Sequence, residues 1–150
     1  MQQSWQERLV AAGKRVMLGV SLVLMVGGSV QADVVPSSLY GLYQSLVRNS
    51  AQYYEIFEPD VFYMDTSDSE TVTLTLDGGE YLFKATCDTD CDDVDLVIRD
   101  WNGRLVDSDF LDDSVPRVSG YFPQGRYTVK LNMESCDWDP CTAVLIYLKR

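Results

Sequence analysis

Thr71-Val72-Thr73-Leu74-Thr75-Leu76 decides the fold class of this chain. Successive side chains of an extended backbone point to opposite faces, so here threonine hydroxyls line one side and apolar groups the other. Both residue types are β-branched or apolar and suit a pleated, half-buried surface. A strand with one apolar face needs a second layer to cover that face, so the stretch implies a packed sheet.

Working outward, Asp77-Gly78-Gly79 reads as a turn and residues 80–85 as a second strand, which together predict a hairpin with 71–76. Residues 94–99 read as a strand that turns at Asn102-Gly103 into a short partner over 104–107. A further strand over 115–122 contains Pro116, which suits an edge. Pro123-Gln124-Gly125 turns the chain into 126–133, where Tyr127, Val129 and Leu131 alternate with polar residues. Residues 143–148 form the last strand. Strands spaced roughly 8–12 residues apart with turn signals between them predict an all-β antiparallel sandwich or barrel of about eight strands. Before it, Leu39, Leu42, Tyr43, Leu46, Val47, Tyr53 and Tyr54 recur at helical spacing after Pro36-Ser37-Ser38. That pattern predicts an N-terminal amphipathic helix over 38–55, closed by Glu58-Pro59, with Tyr43, Tyr53 and Tyr54 packed on the sheet.

Residues 1–32 read as a signal peptide. Lys14 and Arg15 precede an apolar run over 16–26, and Val30-Gln31-Ala32 supplies a cleavage site. The run is shorter than the roughly 20 residues a membrane span needs, so contact with a membrane is expected only during export. The expected division is 1–32 signal, 33–58 helical segment and 59–150 sandwich domain, with the product periplasmic or extracellular. The part after residue 32 holds 9 basic and 22 acidic residues. That excess repels nucleic acid and anionic membrane surfaces, which leaves an extracellular or periplasmic protein, or a glycan, as the expected partner.

Cys87, Cys91, Cys136 and Cys141 are an even set in an exported chain, which favours two disulfides. Three pairings exist. Cys87–Cys91 with Cys136–Cys141 is favoured, because each pair flanks a short polar loop. A four-thiolate zinc site fits less well, since the spacings are unusual and the chain has no histidine.

The stretch from about 71 to 148 resembles the bacterial pre-peptidase C-terminal domain. The residues that carry the resemblance are Gly79-Glu80-Tyr81, then Asp93-Val94-Asp95-Leu96-Val97-Ile98-Arg99-Asp100 followed by Asn102-Gly103, then Asp107-Ser108-Asp109, and finally Gly125-Arg126-Tyr127-Thr128-Val129. The resemblance implies a jelly-roll sandwich and an accessory module of secreted enzymes, some of whose relatives bind collagen, chitin or polysaccharide and some calcium.

Ten aspartates fall between residues 88 and 113, opposed only by Arg99 and Arg104. Calcium takes about six to eight oxygen ligands, so the candidate metal ligands are Asp88, Asp90, Asp92, Asp93, Asp95, Asp107 and Asp109, with Asp93 or Asp95 set opposite Asp107 or Asp109 across the hairpin. The competing reading is a solvated acidic face whose aspartates cap turns. Asp95 stands out: a carboxylate inside a strand needs a backbone donor, Arg99 or a metal as partner. The spacing is not an EF-hand, because Asp93 and Arg99 stand where glycine and glutamate are required. Trp101 and Trp138, both in turns, are the candidate ligand-binding residues, suited to stacking on sugar rings or anchoring a protein. Without histidine there is no Ser-His or Cys-His dyad, so the expectation is a non-catalytic binding or structural module. A small hydrolase using aspartate pairs is the lesser alternative.

Overall fold

The computed structural model describes residues 35–150, and the expected signal segment lies outside them. One helix, α1 (Ser37–Arg48), precedes nine strands: β1 (Tyr54–Glu55), β2 (Asp60–Met64), β3 (Ser69–Leu76), β4 (Gly79–Cys87), β5 (Cys91–Asp100), β6 (Leu105–Asp109), β7 (Arg117–Phe122), β8 (Gly125–Cys136) and β9 (Cys141–Lys149). They form two antiparallel sheets. In the first, β9 pairs with β1 and β2 along one side and β4 along the other, and β4 continues to β7; the second runs β3-β8-β5-β6. No helix among the described residues is long and apolar enough to cross a membrane.

The alternation at 71–76 does what its pattern requires. Leu74 and Leu76 enter the core between the sheets while Thr71, Thr73 and Thr75 stay outside. From β8, Tyr127, Val129, Leu131 and Met133 join them; from β5, Val94, Leu96 and Ile98. The first sheet contributes Tyr81, Phe83 and Ala85 from β4, Leu145 and Tyr147 from β9, and Phe122 from β7. Five of these rings make one aromatic cluster, in which Phe83 and Phe122 lie 5.2 Å apart edge to face.

The first sheet is covered on its second face too. Leu39 and Leu46 of α1 pack with Leu82, Val144, Ile146 and Leu148. Burial on both faces explains why 143–148 reads as a continuous apolar run rather than an alternation.

Several expectations are corrected. The helix ends at Arg48, not at 55. Tyr43 and Tyr53 pack against the outer cluster, but Tyr54 belongs to β1 and is largely exposed. Strands β3 and β4 do not form a hairpin: β3 pairs with β8 and β4 with β7 and β9. Gly78 at φ +85° and Gly79 at φ +143° let the chain cross from one sheet to the other, where a two-residue hairpin turn would have kept it in the same sheet. Strand β2 was not anticipated. By contrast, β5 and β6 do pair across Asn102-Gly103, and β7 is an edge strand that begins just after Pro116.

Both disulfides take the favoured pairing, Cys87–Cys91 and Cys136–Cys141, and no free cysteine remains among the described residues. Such bridges fit a non-reducing compartment. The chain-entropy model for a loop closed over five residues gives about 2 kcal/mol. Replacing Cys136 and Cys141 together by alanine is therefore expected to lower unfolding free energy in urea by about 2 kcal/mol. An unchanged midpoint would show that the bridge does not restrict the unfolded chain.

Candidate functional site at the disulfide end

Four loops gather at one end of the sheets: 65–68, 88–90, 110–116 and 137–140. Side chains and backbone tie them together. The Thr66 amide donates to Asp139 Oδ1 at 2.8 Å, and the Thr66 hydroxyl to the Cys136 carbonyl at 3.2 Å. The Asp137 amide donates to the Asp90 carbonyl at 2.7 Å, and the Thr142 amide to Asp88 Oδ2 at 2.8 Å. The Val94 amide donates to the Asp113 carbonyl at 3.1 Å, and Cys87 Sγ lies 3.8 Å from the Ser114 carbonyl oxygen. This end therefore holds both disulfides in one bonded frame.

The aspartate-rich segment works mainly on backbone. Asp100 Oδ1 accepts from the amides of Asn102 and Arg104, which shapes the Asn-Gly turn. Asp113 Oδ1 accepts from Val115, and Asp109 accepts from Leu111 with one oxygen and from Arg117 with the other. The last bond joins the edge strand of one sheet to the edge strand of the other. Asp107 accepts from Ser108, while Asp90 and Asp92 are exposed. Short carboxylates that cap nearby amides are the physical reason aspartate concentrates in turns.

The seven candidate metal ligands do not converge. Strand register pairs Asp109 with Leu96 and Asp107 with Ile98, so both aspartates share the inward face of those leucine and isoleucine side chains. Asp95 lies on the opposite, outer face. The register sets Asp95 on the face opposite Asp107 and Asp109, although the Asp109 charge still reaches it, and Asp93 stands at a β-bulge. Among the described residues no group of three His, Cys, Asp or Glu is arranged to hold a metal ion.

What the register does assemble is a smaller acidic group. Asp95 is only 9% exposed and pairs across the sheet with Asn132. Its carboxyl meets that of Glu134, a second acid, and makes no ion pair among the described residues; Arg99, the expected partner, donates instead to the Gly103 carbonyl at 3.1 Å. Burial first, then the charges of Glu134 and Asp93, push the Asp95 carboxyl up to about 6. Asp93 sits at a β-bulge with Oδ1 buried and unpartnered, and burial followed by the Asp112 charge pushes it up as well. Glu134 and Asp112 were missed by sequence reasoning. Glu134 is distant in sequence, and only the β5–β8 register brings it near.

The two tryptophans lie at opposite ends of the second sheet. Asp100 pairs with Tyr127 and Cys91 with Cys136, so Trp101 and Trp138 are separated by the length of β5, about 30 Å at the usual strand rise. They cannot share one small ligand. Trp101 is 68% exposed, with the Arg126 guanidinium 5.3 Å from its ring. Trp138 is 77% exposed within the Cys136–Cys141 loop. On the neighbouring 110–116 loop Phe110 and Leu111 are also exposed. No family model matches the chain, and no curated protein matches it.

Proposed function

We propose that this chain is a non-catalytic binding module of an exported protein, acting through Trp138 at the disulfide end. The observation that carries the reading is an indole almost wholly in solvent on a loop closed by a disulfide and bonded to its neighbours. An exposed aromatic ring has hydrophobic free energy to recover on contact, and a pre-ordered loop loses little entropy in binding. Aspartates around it keep the surface soluble and attract cationic or hydroxyl-rich partners. The absence of histidine from the whole sequence and the use of carboxylates as amide caps support holding rather than converting.

The module is of the jelly-roll kind that the resemblance to the pre-peptidase C-terminal domain implies. Strand order supports it: β2-β9-β4-β7 set against β3-β8-β5-β6 is what two interleaved Greek keys produce from eight successive strands. The disulfides and the apolar segment over 16–26 support export to the periplasm or beyond.

Insoluble chitin, cellulose and fibrillar collagen serve as partners for a depletion assay. At least one is expected to remove the protein from solution, and Trp138→Ala is expected to weaken that binding about tenfold or more, as for a central aromatic anchor. Trp101→Ala, at the far end, leaves it unchanged. No depletion by any of the three, or equal depletion of the Trp138 variant, counts against the reading.

A further inference from the structure

Lys84 is 9% exposed and has no carboxylate partner, in a chain whose acidic residues outnumber its basic ones 23 to 12. It lies on the outer face of the first sheet, beneath the turn that follows α1. Its ammonium donates to the Leu46 carbonyl at 3.3 Å and to Ser50 Oγ at 3.4 Å, both long contacts. An ammonium has three donors, and the third has no partner among the described residues. Directly across the strand pair from Lys84 stands Arg117. Like charges at directly opposed positions destabilise a sheet. No carboxylate lies within ion-pair distance of the Arg117 guanidinium among the described residues, since the one ion pair there joins Lys149 to Asp77.

These two cations flank a recess of about 390 Å³. Its walls include Asn49, Gln52 and Ser119 as hydrogen-bonding groups, and Tyr53 and Leu82 as apolar ones. That is within the size range of small-ligand sites, with few convergent polar groups in a partly apolar concavity. The fold holds two positive charges together at the mouth of a cavity and supplies nothing negative between them. A bound anion would remove both costs, the buried unpaired ammonium and the opposed like charges.

We propose that the recess between the end of α1 and the β4–β7 pair is a binding site for the carboxylate or phosphate group of a small molecule, held between Lys84 and Arg117. The planar guanidinium offers two parallel N–H donors to such an oxyanion, and the ammonium offers a point charge. Burial, and then Arg117, lower the Lys84 pKa, a further sign that the site lacks its counterion. The chain's overall negative charge opposes anion approach at long range. At physiological ionic strength that field is screened beyond about 8 Å, whereas contacts inside the recess are not. The recess opens on the outer face of the first sheet and does not depend on the Trp138 reading, although Arg117 directly follows the 110–116 loop.

The test uses the intact chain and two probes, inorganic phosphate and glucuronate, followed by backbone amide NMR at physiological salt. At least one probe is expected to give saturable shifts confined to residues 49–53, 84 and 117–119. Phosphate alone, glucuronate alone or both would assign the site to phosphates, to carboxylates or to oxyanions in general. Arg117→Gln, at an exposed position that leaves the core untouched, is expected to weaken binding about tenfold or more. Arg150→Gln, an equal change of net charge elsewhere, leaves it unchanged. No saturable shift with either probe, or parental affinity in Arg117→Gln, overturns the proposal.

Discussion

Asp95→Asn is expected to raise the free energy of unfolding at pH 7 by about 1–3 kcal/mol and to leave it unchanged at pH 3. In the unfolded chain Asp95 loses its proton near the ordinary carboxylate value. In the fold, burial and the neighbouring charges of Glu134 and Asp93 hold it up to about 6. Between those values the folded protein binds more protons than the unfolded one, so stability falls as pH rises through that window and levels off above it. Below both values the carboxyl is neutral in both states and costs nothing. Asparagine keeps the side-chain shape without the charge, and its amide can donate to the Glu134 carboxylate beside it. Urea unfolding of both proteins at pH 3, 5 and 7 reads the effect directly. A variant less stable than its parent at pH 7, or a difference that does not change with pH, would show that ionised Asp95 is compensated in the fold.

Phe83→Ala is expected to cost about 3–5 kcal/mol. The ring is fully buried at the centre of the aromatic cluster, 5.2 Å from Phe122 and 6.2 Å from both Tyr81 and Tyr147. Alanine would lose the transfer energy of the ring and leave a cavity that strands cannot close, because β4 is paired on both sides. Domains of this size have only about 5–15 kcal/mol of stability in total, so the variant should unfold at much lower urea or fail to accumulate folded. A loss under about 1 kcal/mol would mean that the core is not packed around this ring.

The strands most legible in the sequence are those with one wet face. Residues 71–76 and 126–133 alternate because only one face of each of these strands enters the core. The run 143–148 is legible for the opposite reason, since α1 covers the outer face of the first sheet. The sequence is silent where pairing is non-local. Asp77-Gly78-Gly79 has the composition of a hairpin turn, yet it connects two sheets, and nothing within a few residues distinguishes these outcomes. Tyr53 and Tyr54 continue the helical spacing of α1 by coincidence: Tyr53 packs from the link after the helix, and Tyr54 stands exposed on β1. The acidic segment shows the same division. That its aspartates would cap turns follows from local chemistry, and Asp100, Asp109 and Asp113 do so. Which carboxylates share a face depends on register, and register separates Asp95 from Asp107 and Asp109 while bringing Glu134 close to it.

The lone indole at 138 is useful to a partner only if the loops beneath it are stiff. That stiffness rests on aspartate carboxylates bonded to the amides of Thr66, Val115, Arg117 and Thr142. Amide hydrogen exchange of those four residues in the intact chain at neutral pH is the most direct measurement. Exchange slowed by about a hundredfold or more relative to an unstructured peptide is expected at all four. Exchange at peptide rates in Thr66 and Thr142 would mean a mobile loop end, and would contradict a preformed binding surface there.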